Sequence, residues 1–149
     1  MHIKKILCPT DYSDHSAIAV EYAQKFTEKF NAQLHLLHVI DDVYQYWVAG
    51  TENAAPFIIS TTEIMDAANN NMQNFIDKYF TNFNGELIRA TAQGKPYVAI
   101  TDYAKEHDID MIIISTHGHS ALTQMLIGSV TERVIRKAHC PVLTIRDRK

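Results

Sequence analysis

Two cysteines in 149 residues are too few for a disulfide framework, and Cys8 and Cys140 each stand beside a proline at an expected strand end. That placement predicts buried, inert thiols rather than a disulfide or a metal pair. No apolar run approaches the ~20 residues of a membrane span, and the amino terminus lacks the apolar core and cleavage site of a signal peptide. The chain is therefore expected to stay in the cytoplasm and to have no membrane partner. An excess of positive charge is also lacking: the net charge of −3 gives no electrostatic case for binding nucleic acid. Two common nucleotide motifs are missing. Without Gly-x-x-x-x-Gly-Lys-Ser/Thr there is no P-loop lysine, and no Gly-x-Gly-x-x-Gly follows the first strand to bind a dinucleotide. Internal repeats and low-complexity tracts are absent as well.

What remains is the composition of an ordinary globule, 46% apolar and 21% charged. A chain of this size reads as one domain, able to bury roughly two-thirds of its unfolded surface. His2 to Cys8 reads as a strand, and Pro9-Thr10-Asp11-Tyr12-Ser13 as a turn rich in capping residues. A helix follows, with Ala19, Ala23, Phe26 and Phe30 on one stripe, ended by Asn31-Ala32. Gln33 to Ile40 is a second strand, completing a βαβ unit. The stretch from Asp41 to Ser60 is irregular and aromatic, with Tyr44, Tyr46, Trp47 and Phe57; it reads as a flap over the sheet edge or as a ligand lid. Ser60-Thr-Thr-Glu63 is a capping box that opens a helix with Ile64, Ala68, Met72, Phe75 and Tyr79 on one face. Glu86 to Ala92 is strand three, and Pro96 suits the first turn of a helix whose Ala99, Ile100, Tyr103 and Ala104 face inward. Strand four, a helix from Ser129 to about Ala138, and strand five from Pro141 to Arg146 complete the order. Strands alternating with helices in this way predict an α/β fold, a Rossmann-like doubly wound five-stranded parallel sheet with helices on both faces.

The stretch from Asp110 to Ser129 organises the rest. Met111-Ile112-Ile113-Ile114 is an apolar run too short for a free-standing helix and suited to a strand buried on both faces. A loop carrying Gly118 leads to Gly128-Ser129 and a helical pattern, with Ser129-Val-Thr-Glu132 read as a capping box. A helix amino terminus leaves N–H groups unpaired, and the dipole makes such an end a site for anions, phosphate above all. Glycine suits the position because a Cβ obstructs close approach and because φ can be positive there. In an open parallel sheet, ligands bind beyond the carboxyl ends of strands where the connections diverge. Strands one and four are expected to flank that point, placing Pro9-Thr10-Asp11 beside the glycine loop. Asp11 is then either an acceptor for ribose hydroxyls or a cap for the first helix.

Thr116-His117-Gly118, nine residues, then Gly128-Ser129 resembles the nucleotide-binding signature of universal stress proteins, Gly-x-x-Gly, nine residues, Gly-Ser or Gly-Thr. The pattern departs once, with Ser115 at its first glycine; a serine keeps the backbone N–H and adds a hydroxyl, while its Cβ narrows the approach. Pro9-Thr10-Asp11-Tyr12-Ser13 is similar to the family's amino-terminal aspartate motif, and His38-Val39-Ile40 to the end of its second strand. The resemblance runs the length of the chain. It implies that Asp11 contacts the ribose or adenine side, that the backbone of Val39 reads adenine, and that Gly118, Gly128, Ser129 and Val130 contact phosphate. Ser115 and His117 lie in the same loop. The implied ligand is ATP, or AMP or ADP, with Mg²⁺ as a companion ion. Cys140-Pro141-Val142-Leu143-Thr144-Ile145 resembles the closing strand through which family members pair, implying a homodimer through Val142, Leu143, Thr144 and Ile145. The function implied is a dimeric stress-response regulatory module.

The eight histidines do not assemble a metal site on paper. His35 and His38 point to opposite faces of a strand, and His117 and His119 have no third ligand near them in sequence. No nucleophile elbow or Ser-His-Asp order stands out, and Arg133, Arg136 and Lys137 complement a helix carboxyl terminus without needing chemistry. The alternatives are a weak adenine-nucleotide hydrolase using the same pocket and a dimeric interaction module that binds no nucleotide.

Overall fold

A computed structural model describes residues 2–41, 61–117 and 127–146. Five strands, β1 (Lys5–Thr10), β2 (Gln33–Ile40), β3 (Glu86–Gln93), β4 (Met111–Ser115) and β5 (Val142–Ile145), form one sheet in the order β3-β2-β1-β4-β5. Every pairing is parallel. Four helices connect them: α1 (Asp14–Phe30), α2 (Thr61–Tyr79), α3 (Pro96–Glu106) and α4 (Ser129–Lys137). The two apolar cores lie on opposite faces of the sheet, as a doubly wound fold requires. One joins α1 and α2 to Ile6, Cys8, Leu34, Leu36 and Ile113; the other joins α3 and α4 to Leu7, Leu37, Ile112 and Ile114. Because both faces are covered, β4 is apolar at four successive positions and all five of its residues are buried.

The element boundaries follow local chemistry. Ser13 caps α1, accepting a hydrogen bond from the Ser16 N–H at 3.1 Å, and Asn31 closes the helix in the left-handed region at φ 51°. Pro96 occupies the first turn of α3. The predicted stripe on α2 is present, with Ala68, Met72 and Phe75 buried and Ile76 added. On α1 the stripe ends early, since Phe30 is exposed at the last turn.

Two expectations are corrected. Strand β1 runs from Lys5 to Thr10, so Pro9 and Thr10 belong to the strand and not to the turn; Pro9 pairs opposite Leu37. The chain before it is tied instead by Asp110, whose Oδ2 accepts the N–H groups of Lys4 and Lys5 at 2.8 and 2.9 Å. Ser129 is the first residue of α4 rather than its cap: Gly128 holds the cap position without a side-chain bond, and Glu132 turns away to Arg136 at 3.0 Å. A glutamate with a cation one turn on has a partner on the exposed face and does not need to reach back. The flap from Asp41 to Ser60 and the capping box at Ser60 lie outside the described residues beyond Asp41 itself.

Candidate functional site

The sheet order puts β1 and β4 side by side at its centre, with β2 continuing to one side and β5 to the other. This is the switch point where connections leave toward opposite faces, and where a crevice forms outside the carboxyl ends of the strands. Each wall of that crevice is built by short-range bonds.

On the β1 side the chain turns through Asp11 and Tyr12. Thr10 is buried, its hydroxyl exchanging a hydrogen bond with Ser16 Oγ at 2.9 Å and accepting the Tyr12 N–H at 3.0 Å. Asp11 Oδ1 accepts from the Ser13 N–H at 3.1 Å and from the Ser13 hydroxyl at 2.5 Å. Asp11 therefore braces the residue that caps α1 and is not itself the cap. A carboxylate offers about four acceptor positions, so this bracing is compatible with a ligand contact. Tyr12 sits at φ 63°, a region that costs a residue with a Cβ about 1–2 kcal/mol. Its ring stacks on His38 at 4.2 Å, and its hydroxyl donates to the Ala68 carbonyl at 3.2 Å. Strain held in place by that many contacts fixes the direction in which Asp11 leaves the strand.

Beside this turn, β2 runs on after its pairing with β1 has ended at Thr10 opposite His38. The Gln33 N–H bonds to Lys4 in the direction of β1, while the Ile40 carbonyl accepts from Gly94 beyond β3. Backbone groups alternate sides along a strand, so Val39 aims its N–H and carbonyl into the space that β1 has vacated. Its side chain, half-buried, packs into the α3–α4 core. His38 Nδ1 lies 3.0 Å from the Thr10 carbonyl, an acceptor only, so Nδ1 carries the proton. Burial lowers the pKa of His38, which keeps the ring neutral with Nε2 as an acceptor.

On the β4 side, the Ser115 hydroxyl donates to the His117 carbonyl at 2.6 Å, curling the chain as it leaves the strand. The hydroxyl that the sequence offered as an extra ligand donor is thus committed within the turn. Two bonds then clasp α4 against the end of β4. The Gly128 N–H donates to the Thr116 carbonyl at 2.7 Å, and the buried Thr131 hydroxyl donates to the Ser115 carbonyl at 2.8 Å. A Cβ at Gly128 would stand 3.2 Å from the Thr116 carbonyl oxygen, so close approach explains this glycine; its φ of −58° does not. Ser129 is exposed and Val130 half-buried at the first turn of α4, whose leading N–H groups have no intrahelical acceptor. His117 is half-buried, with Nδ1 2.9 Å from the Thr116 hydroxyl. Gly118 lies outside the described residues.

The structure thus brings Pro9, Thr10, Asp11, Val39, Ser115, His117, Gly128, Ser129 and Val130 to one end of the sheet. It also divides them by role: the side chains of Thr10 and Ser115 are spent on internal bonds, and Pro9 is buried within the strand. Sequence reasoning missed Thr131 and the pair Tyr12–His38. Thr131 had a signal, a small polar residue on the inward face of an amphipathic helix just after Gly-Ser. The stacking of Tyr12 on His38 had none, because the two are brought together only by the pairing of β1 with β2. Cys8 is fully buried, which pushes its thiol up to about 12 and leaves it inert, and Cys140 is half-buried. His35 and His38 do point to opposite faces, one toward Tyr103 and the other toward Tyr12. Among the described residues no cluster of three metal-ligating side chains is present, and no helix is long and apolar enough to cross a membrane.

Comparison with known proteins places this geometry. The profile of the universal stress protein family matches residues 2–146. Universal stress protein MJ0531 of Methanocaldococcus jannaschii is 30% identical over 146 residues, covering 98% of this chain and 84% of that protein. Universal stress protein MJ0577 of the same organism is 32% identical over 154 residues, covering 96% and 94%. The solved structure of MJ0577 superposes with a TM-score of 0.82 at 31% identity, over 100% of this chain and 99% of that one. Two solved structures at lower identity share the fold. One is a universal stress protein in complex with cAMP (TM-score 0.73, 20% identity, 99% and 100% coverage), the other the Archaeoglobus fulgidus universal stress protein in complex with dAMP (0.68, 19%, 98% and 100%).

Proposed function

The chain belongs to the universal stress protein family, and from that premise we propose that it binds an adenine nucleotide between the carboxyl ends of β1 and β4. The nucleotide is ATP with Mg²⁺, or AMP or ADP, and the protein acts as a homodimeric regulatory module in a stress response in the cytoplasm. The observation that carries this reading is the bond from the Gly128 N–H to the Thr116 carbonyl, 2.7 Å, where a Cβ would stand only 3.2 Å from the same oxygen. It seats the amino terminus of a nine-residue helix at the mouth of β4, next to the strand that leads into Asp11. Dipole and free N–H groups then face an anion from one wall while a carboxylate faces hydroxyl groups from the other. Relatives of the same fold have been solved with cAMP and dAMP, both adenine nucleotides.

In this reading the Val39 backbone pairs with the adenine edge, Asp11 accepts from the ribose, and Gly118, Ser129 and Val130 receive phosphate through their N–H groups, while Gly128, whose N–H is held by the Thr116 carbonyl, lets the phosphate approach closely. Ser115 contributes through its backbone, since its hydroxyl holds the turn. Mg²⁺ takes most of its ligands from phosphate and water, so it would need few from the protein. The second copy pairs along Val142, Leu143, Thr144 and Ile145, because β5 is an outer strand of the sheet and an edge is a template for another strand.

Calorimetric titration of ligand-stripped protein with ATP and Mg²⁺ tests the binding, alongside Asp11→Ala. Saturable binding is expected, weakened about tenfold or more in Asp11→Ala, since a hydrogen bond to a charged group contributes about 1.5–3 kcal/mol. Absence of binding by the wild type to ATP, ADP and AMP alike would sink the reading. Sedimentation across a range of concentrations tests the dimer, which a monomer at every concentration would remove.

A further inference from the structure

The phosphate end of this crevice carries two imidazoles, only one of which the sequence pointed to. His15 lies in the first turn of α1 and His117 just after β4, with ring centroids 6.1 Å apart and planes inclined by 49°. His117 Nδ1 is engaged by the Thr116 hydroxyl at 2.9 Å, while Nε2 is shielded from solvent and has no hydrogen-bond partner among the described residues. A buried polar atom left unpaired costs about 1–3 kcal/mol, and native structures retain such a cost where something else supplies the partner. The amino termini of α1 and α4 both open at this end of the sheet, so the field there favours a bound anion.

The charged groups around the pair come from each neighbouring element. Asp11 stands in the β1–α1 turn, and Arg146 follows Ile145, whose carbonyl accepts the Thr116 N–H at 2.9 Å. Asp14 precedes His15 but is drawn toward α2 by the Tyr79 hydroxyl at 3.3 Å. On α4 the first titratable residue, Glu132, is paired with Arg136 on the exposed face.

We infer that His15 and His117 together receive the terminal phosphates of the bound nucleotide, so that affinity for phosphorylated nucleotide rises as pH falls through the imidazole range. The assignment rests on the nucleotide reading given above. A phosphate lying between the two rings takes one N–H from each, with Nδ1 of His117 held against the Thr116 hydroxyl and Nε2 turned to the phosphate. An anion in that position favours imidazolium over neutral imidazole, and protein binding of the phosphate is strengthened in return. Adenosine, which reaches only the Asp11 and Val39 end, has no such dependence.

Binding of ATP and of adenosine to the full, ligand-stripped chain is measured at pH 8 and pH 6, for the wild type and for a variant carrying His15→Gln and His117→Asn. Asparagine keeps an amide near the Thr116 hydroxyl and so preserves the turn. The wild type is expected to bind ATP about tenfold more tightly at pH 6, one unit of pKa shift being a tenfold change, with adenosine unchanged. The double variant is expected to lose that gain. ATP itself takes up a proton in this interval, which opposes the effect equally in both proteins. The same pH profile in variant and wild type, or an equal gain for adenosine, overturns the histidine assignment while leaving nucleotide binding intact. No binding of either ligand at either pH overturns the nucleotide reading and the assignment with it.

Discussion

The two ends of the sheet each hold a histidine-containing polar cluster, and they are wired differently. At the amino end, Asp110 binds two backbone N–H groups and Lys5 Nζ donates to the His107 carbonyl at 2.9 Å. Buried His35 is satisfied on both sides, Nδ1 by the Tyr103 hydroxyl at 2.9 Å and Nε2 by Gln33 Oε1 at 2.8 Å. Gln33 in turn donates to Glu86 at 2.5 Å, which fixes the amide so that its oxygen meets the ring and assigns the proton to Nε2. His107 stacks on Tyr103 at 3.9 Å and closes the group. At the carboxyl end the bonds instead shape turns: a left-handed tyrosine, a curled Ser115, a glycine where a Cβ would crowd a carbonyl, and a histidine nitrogen without a partner among the described residues. A closed network holds the fold together, whereas the carboxyl end keeps a strained turn and a polar atom without a partner among the described residues, the features on which the proposed nucleotide site rests.

That contrast predicts opposite consequences for substitutions at the two ends. His35→Leu leaves the Tyr103 hydroxyl and Gln33 Oε1 without their partner, and is expected to cost about 2 kcal/mol of stability in urea unfolding. The nucleotide affinity of the folded fraction should not change; a parallel loss of affinity would mean that the amino end also organises the crevice. Gly128→Val works the other way. Its side chain pushes the Thr116 carbonyl away from α4, and nucleotide binding by calorimetry is expected to weaken at least tenfold, about 1.4 kcal/mol, for a smaller loss of stability. If the valine variant binds as the wild type does, the clasp between β4 and α4 is not what builds the site.

The smallest effect concerns pH and sharpens the comparison from the stability side. Burial lowers the pKa of His35, helped by the charges of His107 and Lys5, and burial lowers that of His38 as well. The folded state therefore binds fewer protons than the unfolded state below the ordinary imidazole value of about 6.5. Stability from this source is fully present above that value and is lost as pH falls through it toward the folded values. Urea midpoints should hold steady from pH 8 to 7 and decline below about 6.5, with a shallower decline in His35→Leu. A variant with the same slope as the wild type would place the proton uptake elsewhere.

Much of this was legible in the order of residues. The apolar run Met111 to Ile114 can only be stable covered on both sides, so the parallel sheet followed from it, and alternation with amphipathic helices gave the two layers. The boundaries of β2 and α1 were readable because Asn31 and Ser13 stop helices by their own backbone and side-chain chemistry. The start of β1 was not, because Lys4 is held by Asp110, 106 residues away. Nor was the cap of α4: Ser129 and Glu132 have the spacing of a capping box, but Arg136 offered the glutamate a nearer charge. At the candidate site, motif and spacing pointed to Asp11 and Gly128, which the fold brings to the same end of the sheet. Tyr12, His38 and His15 were not legible, since each meets a partner that lies far away along the chain, whereas Thr131 carried a signal in its polar position on the inward face of α4.

By itself the sequence determined the fold class and the family, and it gathered the candidate site residues at one end of the sheet, because these depend on periodicity, capping chemistry and glycine spacing, all local properties. Only the tertiary structure decided which hydroxyls are spent inside the protein, which glycine is required for contact rather than for conformation, and which histidine nitrogen has no partner among the described residues. Those outcomes depend on distances between segments that the pairing of β1 with β2 and β4 brings together, and no reading of neighbours along the chain contains them.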